Sequence, residues 1–134
     1  MDASFTKRER LSSFKEIQAL MKKGETFFHY PFKVVYQHIR LEAEDEAPAN
    51  AIIVSVPKRN FKRAVKRNLL KRRIRESYRL NKGLLEAPCG CRTNALFVYV
   101  SKEILEFSHI EKKLKEVLVK ISNPNATEQT GKES

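Results

Sequence analysis

Residues 58–79 read KRNFKRAVKRNLLKRRIRESYR. Eleven of them are Lys or Arg and one, Glu76, is acidic, so this segment carries +10 of a formal chain charge of +11. The remaining sequence holds sixteen bases against fifteen acids and is nearly neutral. Nothing between Asn60 and Gly83 breaks a helix; Asn60 fits as its N-cap and Gly83 as its stop. At about 100° per residue, Leu70, Ile74, Ser77 and Tyr78 share one narrow arc, the natural core-facing seam. Lys62, Lys66 and Arg73 fall roughly a quarter-turn away, and Arg72, Arg75 and Arg79 lie opposite. The like-charged i,i+4 pairs Lys58/Lys62, Lys62/Lys66, Lys71/Arg75 and Arg75/Arg79 each oppose the helix by a few tenths of a kcal/mol. Folding alone would favour glutamates there, and a merely solvated face usually mixes both signs. The segment therefore reads as a helix that both packs and binds a polyanion, with about 0.9 added to the salt slope per duplex phosphate neutralised.

Working outward, the flanks supply an α+β frame. Upstream, Ser13 and Glu16 form a capping box before Phe14, Ile17, Leu20 and Met21, and Gly24 is placed to end that first helix. Residues 27–39, FFHYPFKVVYQHI, read as strand, with Pro31 an edge or a break. The acidic turn LEAEDEAPAN (41–50) leads to a strand over 51–56 that Pro57 ends. Downstream of the basic helix, a loop with Pro88 and Gly90 precedes a strand over 95–100. A last helix follows, with Ser108 and Glu111 as a second capping box and a stripe at Ile110, Leu114, Val117, Leu118 and Ile121. The expectation is a small sheet of three to four strands packed by three helices, in the order α-β-β-(β)-α-β-α. One domain over 1–121 and a disordered tail over 122–134 complete it.

At 134 residues and 41% hydrophobic content the chain can bury a core. No apolar run approaches the roughly 18–20 residues of a membrane span and no signal-peptide stretch precedes the first helix, so a cytoplasmic protein is expected. Cys89 and Cys91 supply too few ligands for a structural zinc and read as reduced thiols in a loop. His29, His38 and His109 have no partner at ligand or triad spacing. Glu42, Glu44, Asp45 and Glu46 read as a solvated turn rather than a metal-binding nuclease centre.

The polyanion is expected to be a nucleic acid. No heptad segment follows the basic helix, which argues against basic-zipper entry into a DNA groove. Single-stranded RNA readers instead combine aromatics on a sheet face with cations beside them. Phe28, Tyr30, Phe32, Tyr36, Phe97 and Tyr99 are the candidates, Phe97 better explained by core packing. Phe32, Val34 and Tyr36 share one face and Lys33 and Val35 the other, and alternation leaves open which face meets solvent.

Val56 to Arg79 resembles the signature stretch of the bacterial ribonuclease P protein component, whose core string is R-N-R-x-K-R-R-x-R-E within a long helix. Arg67, Asn68, Lys71, Arg72, Arg73, Arg75 and Glu76 match it, with Ala64 and Tyr78 also fitting; Leu69 stands where the string has its second Arg. KRERL (7–11) and KKGETFF (22–28) are similar to the family's N-terminal pattern. The resemblance implies an accessory subunit of an endoribonuclease with no catalytic residue of its own. A large RNA, holding Mg2+, would cut precursor tRNA to give the mature 5′ end, and the protein itself would bind no cofactor or metal. By position, Arg67, Asn68, Arg72 and Arg73 would contact the catalytic RNA. Lys71, Arg75, Tyr36, Ile17 and Met21 would line a cleft for the 5′ leader, Ile17 and Met21 replacing residues commonly aromatic in the family. A general RNA-binding protein, ribosomal or chaperone, is the alternative, and a helix meeting an acidic protein groove is a third reading.

Overall fold

The computed structural model describes residues 14–41, 50–87 and 90–123. Three helices, α1 (Phe14–Lys23), α2 (Ala64–Asn81) and α3 (Phe107–Ser122), accompany four strands, β1 (Glu25–His29), β2 (Phe32–Arg40), β3 (Ala51–Ser55) and β4 (Cys91–Tyr99). The strands lie in the order β1-β2-β4-β3. β1, β2 and β4 pair antiparallel, whereas β3 runs parallel to β4 and α2 is the crossover between them. The expected first strand is thus two, broken at Pro31, where a cis Tyr30-Pro31 peptide makes the turn.

Both sheet faces are covered, unequally. Phe32, Val34 and Tyr36 of β2, Ile52 and Val54 of β3, and Ala95, Phe97 and Tyr99 of β4 face α2 and α3 and form the main core with Leu70, Ile74, Tyr78, Ile110, Leu114, Val117, Leu118 and Ile121. On the other face α1 lays Leu20 over Val35 and Ala51, with Ile17, Ile53 and Leu96 around them. Gly24 ends α1 by close approach: a Cβ there would sit 2.5 Å from the Leu20 carbonyl oxygen and 2.8 Å from Val35 Cγ1. An ion pair between Arg92 and Glu16 ties the start of α1 to β4.

The seam of α2 is as its periodicity requires, with Leu70, Ile74, Ser77 and Tyr78 all buried. Burying three large side chains contributes about 1.5–3 kcal/mol each, which outweighs the few tenths lost at each like-charged pair. The start of this helix differs from expectation. Asn60 is not the N-cap: its N–H bonds the Pro57 carbonyl at 3.2 Å, and Phe61, buried in the core, bonds Lys58 in the same way. The chain is still turning inward at Phe61, so helical geometry begins only after Arg63. The Lys58/Lys62 and Lys62/Lys66 pairs are therefore not helical neighbours. At the other end Asn81 closes the α-helix, and Gly83 lies within a following 3-10 turn, Lys82–Leu84.

Ser108 and Glu111 likewise form no capping box, because Glu106 is the N-cap of α3 and Ser108 is already inside the helix. The preceding chain is pinned first, Leu105 N–H donating to the Tyr99 hydroxyl and its carbonyl accepting from Arg73. Glu111 instead accepts a 2.9 Å hydrogen bond from Asn81. The strand expected over 95–100 begins four residues earlier, at Cys91, as 91–94 pair with 37–40. Ser122 is the last residue of α3, and its hydroxyl donates to the Leu118 carbonyl. Ser13, the acidic residues at 42–46, Cys89 and the tail from 124 lie outside the described residues.

Candidate nucleic-acid interface

The cations of α2 divide by what holds them. Arg67 Nη1 donates to the carbonyls of Phe61 at 2.8 Å and Lys62 at 2.9 Å, which ties the helix to the turn before it. Arg73 Nη1 donates to the Leu105 carbonyl at 2.5 Å, on the flank toward α3. Arg79 pairs with Glu76, and that hydrogen bond holds the Glu76 carboxyl below its ordinary range. Lys66, Lys71, Arg72 and Arg75 have no side-chain partner among the described residues. Asn68 is exposed between them, and Leu69, half-buried, lies toward the Arg73 flank. Arg67 and Arg73 each engage a single terminal nitrogen, which leaves further N–H donors of the guanidinium fork.

The N-terminal end of α2 extends this field. Arg63 provides no side-chain cap and the first turn has no acid. A cavity of about 470 Å³ opens there, lined by Asn60, Phe61, Lys62, Arg63, Lys66, Lys102 and Ile104. Four cations around the positive pole of a helix disfavour one another and favour an anion. Lys102, from the loop after β4, was invisible as a participant because a single Lys after a strand carries no pattern.

The expected leader residues do not all meet. Ile17 and Met21 lie on one flank of α1, where exposed Phe14 (73%) and Met21 (59%) continue beyond the half-buried Ile17. Tyr36 faces the other way. It is buried on the α2/α3 side of the sheet, its ring edge-on to Phe27 at 5.9 Å and its hydroxyl donating to Glu25 at 3.2 Å. Val35 is the β2 residue that faces α1. Lys71 and Arg75 lie on the flank of α2 away from Arg73, on the same side as Arg67. Of the other stacking candidates, Phe32, Phe97 and Tyr99 are core, whereas Phe28 (67%) and Tyr30 (58%) are exposed.

Fold and surface together define a small α+β protein whose crossover helix displays cations without side-chain partners among the described residues, with a partly apolar helix on the other face of the sheet. The chain matches the ribonuclease P family over residues 5–122 and belongs to that family. It is 40% identical over 120 residues to a ribonuclease P protein component of Porphyromonas gingivalis, covering 87% of this chain and 85% of the relative. A Thermotoga relative of the same name is 35% identical over 85 residues, covering 63% and 67%. Solved structures of ribonuclease P proteins share the fold: that of Thermotoga maritima with a TM-score of 0.68 at 24% identity, covering 85% of this chain and 98% of the other. That of Staphylococcus aureus gives 0.65 at 23%, covering 86% and 95%. No helix among the described residues is long and apolar enough to cross a membrane.

Proposed function

We propose that this chain is the protein subunit of ribonuclease P, binding the catalytic RNA and the 5′ leader of precursor tRNA and so assisting removal of the leader. The observation that carries the reading is the set of cations on α2 without side-chain partners among the described residues, in a chain whose family is known from its sequence. Arg67, Asn68, Arg72 and Arg73 meet the catalytic RNA, with Lys62, Arg63, Lys66 and Lys102 adding phosphate contacts at the helix start. Lys71 and Arg75 face the leader together with Ile17 and Met21 on α1, and exposed Phe14 extends that wall, whereas Tyr36 and Val35 are both buried and take no part. The protein positions and screens charge, while Mg2+ held by the RNA supplies the chemistry of phosphodiester hydrolysis.

The test is reconstitution. Added to catalytic RNA at low Mg2+, the protein should raise cleavage of precursor tRNA and tighten binding of leader-bearing substrate over mature tRNA. Cleavage and binding that stay unchanged would refute the subunit reading and leave a general RNA-binding protein.

A further inference from the structure

The sheet face that carries α1 is only partly occupied by it. The register sets side chains on that face in transverse rows: Thr26, Val35, Leu96 and Ile53 form one, and Phe28, Lys33, Val98 and Ser55 the next. α1 covers Val35, Leu96 and Ile53 of the first row, Thr26 on the edge strand staying exposed, and ends at Gly24 directly against Val35. The second row, about 7 Å further along the strands, lies beyond the end of α1. Phe28, next to last in the edge strand β1, presents its ring to solvent at 67% exposure. The Lys33 ammonium lies 6.0 Å from the centre of that ring, and Val98 and Ser55 are half-buried beside it. At its far end the row reaches Ser55, three residues before the exposed Lys58 and Arg59 that open the basic segment.

We infer that this open row is a second stacking station for single-stranded RNA, which holds an upstream nucleotide of the leader with its base on Phe28 and a phosphate beside Lys33. The inference rests on the leader reading above. A ring with an ammonium at its face suits a nucleotide, since base stacking and phosphate neutralisation are then satisfied at adjacent atoms. The row adjoins the surface around α1, includes the cation Lys33, and holds no acidic residue among its four. An acidic protein partner would have no use for the exposed ring beside the cation, and a second copy of this chain would bring its own positive charge.

The sequence contains no tryptophan, so Phe28→Trp introduces a unique fluorophore at the station. In the holoenzyme, precursor tRNA with a leader of about ten nucleotides should quench it, whereas a leader of about two should not. Phe28→Ala should weaken binding of the long-leader substrate by roughly five- to a hundredfold, in line with loss of one stacked base. It should leave the short-leader substrate unchanged, which also shows that the variant is folded. Lys33→Gln should weaken only the long-leader substrate, with a shallower salt slope. If Phe28→Ala binds both substrates as the unaltered protein does, while the unaltered protein still prefers long leaders, the station is refuted and the leader reading stands. If the unaltered protein shows no leader preference, both fall. Fluorescence that follows protein concentration and not RNA would mark self-association and also refute the station.

Discussion

Arg72 and Arg73 are neighbours in sequence, yet their surroundings assign them different consequences. Arg72 is exposed and unpartnered among the described residues, and it lies close to a row of like charges. Arg72→Gln should leave the thermal midpoint of the free protein unchanged or slightly raised. The same change should flatten the salt dependence of catalytic-RNA binding by about one unit. Arg73→Gln removes a charged hydrogen bond to the Leu105 carbonyl and should cost about 1–2 kcal/mol in denaturant unfolding. A second residue-level expectation concerns pH. Burial holds the His38 imidazole below its ordinary value of 6.5, against weaker pulls from Glu25 and the Ile121 backbone, and its Nδ1 lies 2.7 Å from Thr93 Oγ1. The unfolded chain then binds the proton more readily than the folded one, so stability is full above about pH 6.5 and falls as pH drops through the lower folded value. Thermal midpoints at about pH 7 and pH 5 should differ less in His38→Gln than in the unaltered protein. Losses below the ordinary carboxylate value of 4.5 belong to Glu76 and Glu116, held down by hydrogen bonds from Arg79 and His29.

At the scale of elements, α2 separates packing from binding along a single cylinder. Ile74→Ala empties a fully buried site and should cost about 2–5 kcal/mol, read by denaturant unfolding. Lys71→Gln with Arg75→Gln should keep stability, yet weaken leader-bearing substrate more than mature tRNA in a binding assay. Equal losses on both substrates would contradict that placement. Gly24→Ala drives a methyl group into Leu20 and Val35 and should cost about 1–3 kcal/mol, with α1 displaced. The seam of α2 was legible because Leu70, Ile74, Ser77 and Tyr78 keep helical spacing in a segment otherwise charged. Its start was not, since Asn60 has capping chemistry and only the burial of Phe61 shows the chain still turning there. Tyr36 was misplaced for a related reason. Helices cover both faces of the sheet, so β2 buries an apolar side chain on each side, Tyr36 on one and Val35 on the other, and alternation does not say which side meets α1. Phe28 was legible as an aromatic in a strand, but its exposure follows from where α1 stops.

Across the whole molecule, the two layers on the sheet are unequal. α2 and α3 share the main core, whereas among the described residues α1 rests on Leu20 against Val35 and Ala51, with a few half-buried neighbours and the Arg92–Glu16 ion pair. Free energy of local opening follows the apolar contact that must be broken, so α1 is the element expected to come loose without the rest. In native-state amide hydrogen exchange its backbone should therefore exchange well before that of α2 and α3, by an opening far short of global unfolding. Bound leader should slow exchange in α1 selectively. A wall hung on so small a cluster can shift to meet strands of differing sequence, as the proposed leader cleft would require.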